Sequence, residues 1–282
     1  MPSRTATALG MGAILLWATL ASLTVLSGRL PPFQTTAIAF TIGGAVIGLA
    51  AVARGRTAFM MPTPASLALG IYGLFGYHFL LFIALRVAPP VEANLVNYLW
   101  PLLIVLLSAP LAGERLAWPH LLGAFLGFAG VILLAFGRGL SFTGAHALGY
   151  ALALGCAFIW SLYSVLSRRF GETPTDAIAS FCAAAALLSL ACHLVFEPTV
   201  WPASPLAWLA VLALGIGPTG GAFYLWDHAV KRGDIRALGA LSYAAPILST
   251  ALLVLCGLAP ATLSLLLAAL LVTAGALPAS LL

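Results

Sequence analysis

The sequence predicts an all-α integral membrane protein in which ten transmembrane helices form two inverted five-helix repeats. Three observations indicate this fold class: an apolar composition, ten apolar segments long enough to cross a membrane, and a match between the two halves of the chain. Of the 282 residues, 62% are hydrophobic and only 7% are charged, whereas soluble domains carry about 25% charged residues. A chain of this composition cannot form a water-soluble surface.

The apolar segments set the number of helices. A helix needs about 20 apolar residues to cross the hydrocarbon core. Charged residues, prolines and short polar turns divide the chain into ten such segments, near residues 6–28, 33–53, 65–86, 91–110, 118–137, 145–167, 176–196, 205–227, 236–256 and 260–280. Little chain is left for a soluble domain. We therefore predict one membrane domain, with an N-terminal repeat over 1–140 and a C-terminal repeat over 141–282, and no appended catalytic module.

The basic residues predict the orientation in the membrane. With a cytoplasmic N-terminus, nine of them fall on inner connections, namely Arg4, Arg54, Arg56, Arg115, Arg168, Arg169, Lys231, Arg232 and Arg236. The outer connections hold only Arg29, Arg86 and Arg138. Cytoplasmic loops carry an excess of Lys and Arg. We therefore expect a multi-pass protein of the inner (plasma) membrane with both termini in the cytoplasm.

The sequence lacks the motifs of most soluble functions. The four cysteines lie in apolar spans, and none has metal-ligand or redox spacing. There is no phosphate-binding loop, dinucleotide fingerprint or nucleophile elbow. We predict that the protein is not an enzyme and that it binds no cofactor, metal or nucleic acid. Its expected partners are the lipid bilayer and a small-molecule substrate, and the sequence is compatible with a monomer.

The two halves match without a gap when the second is laid over the first at an offset of 145. Residues 82–107 then face 227–252, which pairs Tyr98 with Tyr243, Pro101 with Pro246 and Arg86 with Lys231. A second, gapped match places Trp17 on Trp160. An odd number of helices per repeat inserts the second copy upside down, and inverted repeats are typical of secondary transporters with a site near the midplane. The alternative is that apolar helices resemble one another by composition.

Polar residues form stripes on two of the predicted helices. In helix four the spacing by threes and fours places Asn94, Asn97, Tyr98, Pro101 and Ser108 on one face. The corresponding face of helix nine holds Gly239, Ser242, Tyr243, Pro246, Ser249 and Thr250. Polar groups that face lipid are costly. We therefore expect both stripes to face the bundle interior or a water-filled cavity.

Each stripe contains a proline in mid-span. Pro101 and Pro246 each remove one backbone hydrogen bond and crowd the preceding turn, which favours a kink. Because the two prolines occupy matched positions in the two halves, we predict that they act as hinges. A static kink is the alternative reading of each.

Aromatic residues supply the predicted binding surface. Trp17, Trp100 and Trp160 lie near mid-span, away from the interfaces where tryptophan usually collects. Tyr163 shares a stripe with Trp160. Indoles and phenols combine a large apolar face with a hydrogen-bond donor, which suits an aromatic or apolar organic solute. Aromatic core packing is the alternative. Trp100 lies off the Asn97 face unless Pro101 rotates the turn.

Ionisable groups in mid-membrane are scarce. His78 is the only histidine predicted near the middle of a span, where it would contact a substrate or pack as a neutral ring. Asp227 falls near a membrane boundary four residues before Lys231, so a surface ion pair is expected. Glu92 falls near the outer end of helix four. Proton-coupled antiport usually needs an ionisable relay inside the membrane, so these positions favour facilitated transport, with His78 as the one candidate relay.

The whole chain resembles the drug/metabolite transporter superfamily in its EamA-like branch. The resemblance rests on the two inverted halves and on "YLWPLLIVLLSAPLAGERL" (98–116) and "SYAAPILSTALLVLCGL" (242–258). "LVNYLWP" (95–101), "AFIWSLYSV" (157–165) and "AILLWATLA" (13–21) are similar, more narrowly, to exporters of aromatic amino acids. The second half departs from the branch pattern, because residues 257–259 are Gly-Leu-Ala where 113–115 are Gly-Glu-Arg. This departure weakens a structural interaction at one turn.

The resemblance implies a function and a mechanism. It implies export of phenylalanine, tryptophan, tyrosine and other neutral amino acids, and alternating access by bending of helices four and nine. It also implies a central cavity lined by Trp17, His78, Tyr98, Trp100, Trp160 and Ser242. A multidrug or cation exporter of the same superfamily is the nearest alternative. A first helix without an acidic residue argues against it.

Overall fold

Ten apolar helices account for nearly all of the chain. The computed structural model describes residues 3–57, 61–136 and 141–280, and Arg138 lies outside these ranges. Nine helices are long and apolar enough to span a membrane, and the tenth is apolar over Leu263–Gly275. Their bounds are α1 Arg4–Leu26, α2 Pro32–Ala53, α3 Pro64–Val87, α4 Pro90–Ala112, α5 Trp118–Phe136, α6 Gly144–Phe170, α7 Thr175–Phe196, α8 Pro205–Arg232, α9 Ile235–Leu255 and α10 Leu263–Ser280. The predicted all-α membrane fold of ten helices is confirmed.

Local sequence signals set several of these boundaries. Before α3 and α8, the hydroxyls of Thr63 and Ser204 accept hydrogen bonds from backbone N–H groups three residues on. The proline that follows each cap has no N–H to leave unpaired. At the other end, α4 and α9 are followed by Gly113 and Gly257, with φ values of 72° and 70°. These left-handed conformations favour glycine.

Hydrogen bonds between helix ends show that the second repeat is inverted. Near the start of α1, Ser3 N–H donates to the carbonyl of Arg232 at the end of α8. Arg168, near the end of α6, donates to the carbonyls of Val230 and Gly233 at that same end of α8. The start of α1 and the end of its counterpart α6 therefore share one face of the bundle. We call it the N-terminal face, and the other side the opposite face.

Helix packing follows the same pseudo-twofold relation. The pair α2–α7 and the pair α5–α10 pack side by side, while α1 packs on α8 as α6 packs on α3. The helices α4 and α9 are each broken. We name their segments α4a (Pro90–Asn97), α4b (Trp100–Ala112), α9a (Ile235–Leu241) and α9b (Ala244–Leu255). On the N-terminal face α4b packs closely on α9a, whereas α4a and α9b have almost no contact. The bundle is thus closed towards the N-terminal face.

The interruptions of the helices also match between the repeats. Both prolines lie just after a break, Pro101 in the first turn of α4b and Pro246 in the first turn of α9b. In addition, α3 and α8 each contain a π-helical segment, at Tyr72–Gly76 and Gly215–Gly221. The second segment overlaps the first at the offset of 145. Bulges of this type are frequent at functional sites.

We expect Gly220→Ala to destabilise the protein and Gly217→Ala to be tolerated. A Cβ on Gly220 would lie 2.6 Å from the Cα of Gly43, where α8 crosses α2. A Cβ on Gly217, in the same π-helical segment, would meet only Leu16 Cδ2 at 3.7 Å. Overpacking of this kind costs about 1–3 kcal/mol. Thermal unfolding in detergent measures the difference, and equal midpoints for the two variants would contradict this packing.

Candidate substrate site

Six helices bring aromatic rings together at the centre of the bundle. The central aromatic cluster consists of Trp17, Phe40, Tyr77, His78, Trp100, Trp160, Phe223 and Trp226. Trp17 lies at its middle, with its ring centroid 5.1 Å from Trp226, 5.5 Å from Trp160 and 6.4 Å from Trp100. Most of these pairs are edge-to-face or tilted, the geometry that aromatic quadrupoles prefer. The predicted tryptophans therefore form one surface.

The break in α4 brings Trp100 into this cluster. On a continuous helix Trp100 lies off the face that carries Asn97. The chain instead leaves the helical path at Tyr98 and Leu99 and resumes it at Trp100. The indole of Trp100 is then buried in edge-to-face contact with Trp160, at 6.3 Å between centroids. Trp100 is thus part of the cluster and lies directly after the break.

Few polar atoms line the central aromatic cluster, and they have specific partners. The indole N–H of Trp17 donates to the carbonyl of Pro218 in the π-helical segment of α8, at 3.0 Å. His78 Nδ1 lies 2.7 Å from the carbonyl of Leu74. Because a carbonyl only accepts, Nδ1 carries the proton and the Nε2 of the neutral ring remains an acceptor.

The side-chain amide of Asn97 lies beside the cluster, and only one of its two ends has a hydrogen-bond partner. Its side-chain amide donates to the hydroxyl of Tyr77 at 2.9 Å, which joins α4a to the aromatic cluster. Its carbonyl oxygen Oδ1 is buried and has no hydrogen-bond partner. Buried polar atoms without a partner are rare and costly. Asn97 therefore offers an acceptor at the break itself.

The remaining predicted site residues lie beside the central cluster. Tyr163 packs on Trp160 at 5.2 Å and is buried. Tyr98 packs on a second cluster, formed by α4, α5, α9 and α10, which includes Tyr243. Ser242 is buried at the break of α9, where its hydroxyl donates to the carbonyl of Leu238 at 2.7 Å. The structure thus brings Trp17, His78, Trp100 and Trp160 together and places Tyr98 and Ser242 at the two breaks.

Sequence reasoning missed four rings of the cluster: Phe40, Tyr77, Phe223 and Trp226. The offset of 145 contained a signal for one of them, because it aligns His78 with Phe223. These two rings meet edge-to-face at 6.3 Å. Trp226 was missed because the predicted eighth segment ended at residue 227. The helix continues to Arg232, which places Trp226 well inside the bundle.

The same extension of α8 corrects the prediction for Asp227. The surface ion pair expected there is wrong: the side chains of Asp227 and Lys231 are 1% and 3% exposed, and Lys231 Nζ lies 2.8 Å from Asp227 Oδ1. Lys231 also donates to the carbonyl of Thr173 at 2.9 Å. Together with Tyr163 they line a cavity of about 10 Å³. A buried acid therefore lies next to the central cluster, although its charge is balanced by Lys231.

A hydrogen bond joins the two breaks. The backbone N–H of Leu102, directly after Pro101, donates to the hydroxyl of Tyr243 at 3.2 Å. Tyr243 is fully buried and lies at the break of α9. Its side chain packs so closely on α5 that a Cβ on Gly127 would meet its ring at 2.4 Å. The side chain at one break thus accepts a hydrogen bond from the backbone at the other.

An apolar groove lies elsewhere, between α2 and α8. It measures about 770 Å³ and its lining includes Ile38, Ile42, Trp208 and Leu209. Trp208 and Leu209 are exposed, and the lining is almost entirely apolar. Such a surface suits a lipid chain better than a ligand with charged groups. The central aromatic cluster therefore remains the candidate substrate site.

A midplane site between two inverted repeats with broken helices is the construction of a secondary transporter. The chain belongs to the EamA-like transporter family, whose model matches residues 4–136 and 147–281.

Similar proteins have the same length and architecture. The chain is 54% identical to the aromatic amino acid exporter YddG of Ancylobacter novellus, over 100% of this chain and 99% of that one. It is 26% identical to the aromatic amino acid exporter YddG of Salmonella typhimurium, over 98% and 97% of the two chains. A crystal structure that is 54% identical matches the fold with a TM-score of 0.95, over 99% of this chain and 98% of that one.

We expect Asp227→Asn to destabilise the protein by about 3–5 kcal/mol, because it leaves Lys231 charged and unpaired in a buried site. The double variant Asp227→Asn with Lys231→Met should recover much of the loss. Unfolding in detergent at increasing denaturant concentration measures both effects.

A pair with an exposed partner provides the control for this comparison. Arg86 lies 3.4 Å from Glu197, and its side chain is about half exposed. Arg86→Gln should change the stability by at most about 1 kcal/mol. If Asp227→Asn also changed the stability by at most about 1 kcal/mol, burial of the Asp227–Lys231 pair would not affect the stability of the protein.

Proposed function

We propose that this protein exports aromatic and other neutral amino acids from the cytoplasm by alternating access, as a facilitator. The observation that carries the proposal is the central aromatic cluster, which lies next to the break of α4 and receives rings from six helices. It is further supported by the family and by relatives named as aromatic amino acid exporters.

The cluster suits the two parts of an aromatic amino acid. The faces and edges of Trp17, Trp100 and Trp160 accept another aromatic ring in the geometry they already adopt with one another. The free acceptors, His78 Nε2 and Asn97 Oδ1, would receive hydrogen bonds from the substrate ammonium group. The hydroxyls of Tyr98 and Ser242, with Tyr163 beside Trp160, would meet the carboxylate as the breaks bend. These residues form the proposed binding set, and Pro101 and Pro246 the proposed hinges.

The direction of opening follows from the packing and from the charges. Among the described residues, the N-terminal face carries the nine basic residues of the inner set, so the positive-inside rule makes this face cytoplasmic. Both termini would then lie in the cytoplasm, in an inner (plasma) membrane. With α4b on α9a and α4a apart from α9b, the structure corresponds to a state that is closed to the cytoplasm. Bending at the breaks would exchange this access for cytoplasmic access.

The charges favour facilitated transport. The named residues of the aromatic cluster include no acid and no permanently charged group, so a net-neutral zwitterion enters without a counter-ion. The buried Asp227 carboxylate supports a second candidate, a proton-coupled or cation exporter of the same family. In that case Asp227, rather than His78, would be the expected ionisable relay.

We expect the purified protein in proteoliposomes to take up labelled phenylalanine without an imposed pH gradient, in competition with tryptophan. Trp17→Ala should raise the concentration for half-maximal uptake about tenfold, because Trp17 contacts four other rings of the site. Trp201→Ala is the matched control, since Trp201 is exposed and lies outside the cluster.

The other outcomes of this experiment decide between the two candidates. Uptake that needs the imposed pH gradient would establish the proton-coupled reading. Absence of amino acid uptake, with transport of lipophilic cations, would overturn the proposal in favour of a multidrug exporter.

We expect Pro101→Ala and Pro246→Ala each to lower the maximal transport rate about threefold to tenfold with little change in substrate affinity. Restoring the missing N–H favours a continuous helix and stiffens the break. Pro110→Ala is the control, because Pro110 lies inside α4b and away from the break. Wild-type rates in both hinge variants would contradict the hinge role.

A further inference from the structure

A cluster of ion pairs closes the N-terminal face around Glu114, in the turn that follows α4b. Glu114 Oε1 lies 2.9 Å from Arg168 Nη2, and its Oε2 lies 3.8 Å from Arg236 Nε. Arg236 in turn pairs with Asp234 at 2.8 Å. We call Glu114, Arg168, Asp234 and Arg236 the Glu114 ion cluster. It joins the end of α4b to the end of α6 and to the start of α9a.

The arginines of this cluster also bind helix-end carbonyls. Arg236 donates to the carbonyl of Arg115 at 2.6 Å. Arg168 donates to the carbonyls of Val230 and Gly233, at 3.1 and 3.0 Å. The last carbonyls of a helix have no partner within the helix. Arg236 therefore joins the start of α9a to the turn after α4b, and Arg168 joins the end of α6 to the connection between α8 and α9.

Asp234 supplies the second negative charge of the cluster, beside Glu114. It caps α9a, accepting from the N–H groups of Arg236 and Ala237. Partial burial alone would raise the pKa of the Asp234 carboxyl, but these bonds and the guanidinium of Arg236 outweigh it and hold the pKa below its usual range. Asp234 is therefore ionised at neutral pH. His120, at the start of α5, lies 3.9 Å from its carboxylate.

The opposite face lacks the counterpart of Glu114. Gly113 and Gly257 adopt matching left-handed conformations at the ends of α4 and α9. The residues that follow Gly257 are Leu258 and Ala259, which cannot form ion pairs. The Arg86–Glu197 pair on that face joins α3 to the end of α7, so it leaves α4a and α9b free to separate. The fold is pseudo-symmetric, but within the residues that the structure describes an ion cluster of this kind joins α4 to α9 only at the N-terminal face.

We propose that the Glu114 ion cluster is a lock that holds the N-terminal face closed and biases the protein towards the state that is open to the opposite face. Glu114 is its centre, because it is the only member contributed by the first repeat. This inference rests on the proposed alternating access but not on the identity of the substrate. Because residues 257–259 lack the Glu and Arg of the Gly-Glu-Arg pattern, the opposite face has no equivalent of Glu114. Only the closed state of the N-terminal face is then stabilised in this way.

The exposure of the ion-paired side chains determines how strongly the cluster favours the closed N-terminal face. The side chains of Glu114 and Arg168 are 19% and 22% exposed, so water and salt screen the pair only in part. Exposed pairs contribute little, while networks with good geometry contribute more. We expect loss of the Glu114 charge to raise the population that is open at the N-terminal face about threefold to tenfold.

The test measures access to the interface between α4b and α9a without substrate. Val105 is fully buried there, in contact distance of Gly239. In purified protein carrying Val105→Cys, a water-soluble maleimide is added and the labelled peptide is followed by mass spectrometry, so the natural cysteines can stay. With Glu114→Gln added, labelling should be about threefold to tenfold faster. Raised ionic strength should accelerate labelling when Glu114 is present and have little effect in its absence.

Arg54→Gln provides the matched control. Arg54 pairs with Asp176 at 2.9 Å on the same face, but this pair joins α2 to α7 and does not touch α4 or α9. It should leave the labelling rate unchanged. Equal rates with and without Glu114→Gln, or the same increase with Arg54→Gln, would overturn the lock. Because no transport is measured, this result is independent of the uptake experiment that tests the proposed function.

Discussion

A helix that crosses a bilayer has to satisfy its backbone hydrogen bonds without help from water. Each of the two mid-span prolines removes one backbone hydrogen bond from its helix. Much of the structure around the breaks compensates for this loss. Each helix breaks before its proline, and around the α4 break the freed backbone finds protein partners. The N–H of Leu102 finds the hydroxyl of Tyr243, which itself lies at the break of α9. The two breaks are therefore one structural unit at the centre of the bundle.

The central aromatic cluster depends on the same breaks. The segment that follows the α4 break begins at Trp100, whose ring contacts Trp17 and Trp160. The break also places Asn97, with its unpartnered Oδ1, beside Tyr77. The proposed binding groups and the proposed hinge thus share the same few residues of α4. Such an arrangement would couple occupation of the site to bending of the helix, which is what a transporter requires.

The two repeats share one architecture because they are related by pseudo-symmetry. Where they differ, the two end states of the proposed transport cycle also differ. The repeats share their packing, their π-helical segments and their breaks, so two equivalent states of similar energy would be expected. Charged residues are among those that differ between the repeats. Glu114 has no counterpart at the opposite face. Lys231 is buried with its partner Asp227, whereas its counterpart Arg86 is half-exposed and pairs with Glu197. The two end states therefore need not be equally populated.

The sequence by itself determined the helices, their number and the inversion of the repeats, because hydropathy and the positions of prolines and charges act locally. It also identified Trp17, His78, Trp100 and Trp160 as interior residues. Only the tertiary structure decided that Phe223 and Trp226 complete the cluster and that Asp227 is buried. Those outcomes depend on the exact end of α8, which is set by contacts between helices distant in the sequence. The charged lock around Glu114 is of the same kind, since its members come from three separate parts of the chain that only the folded bundle brings together.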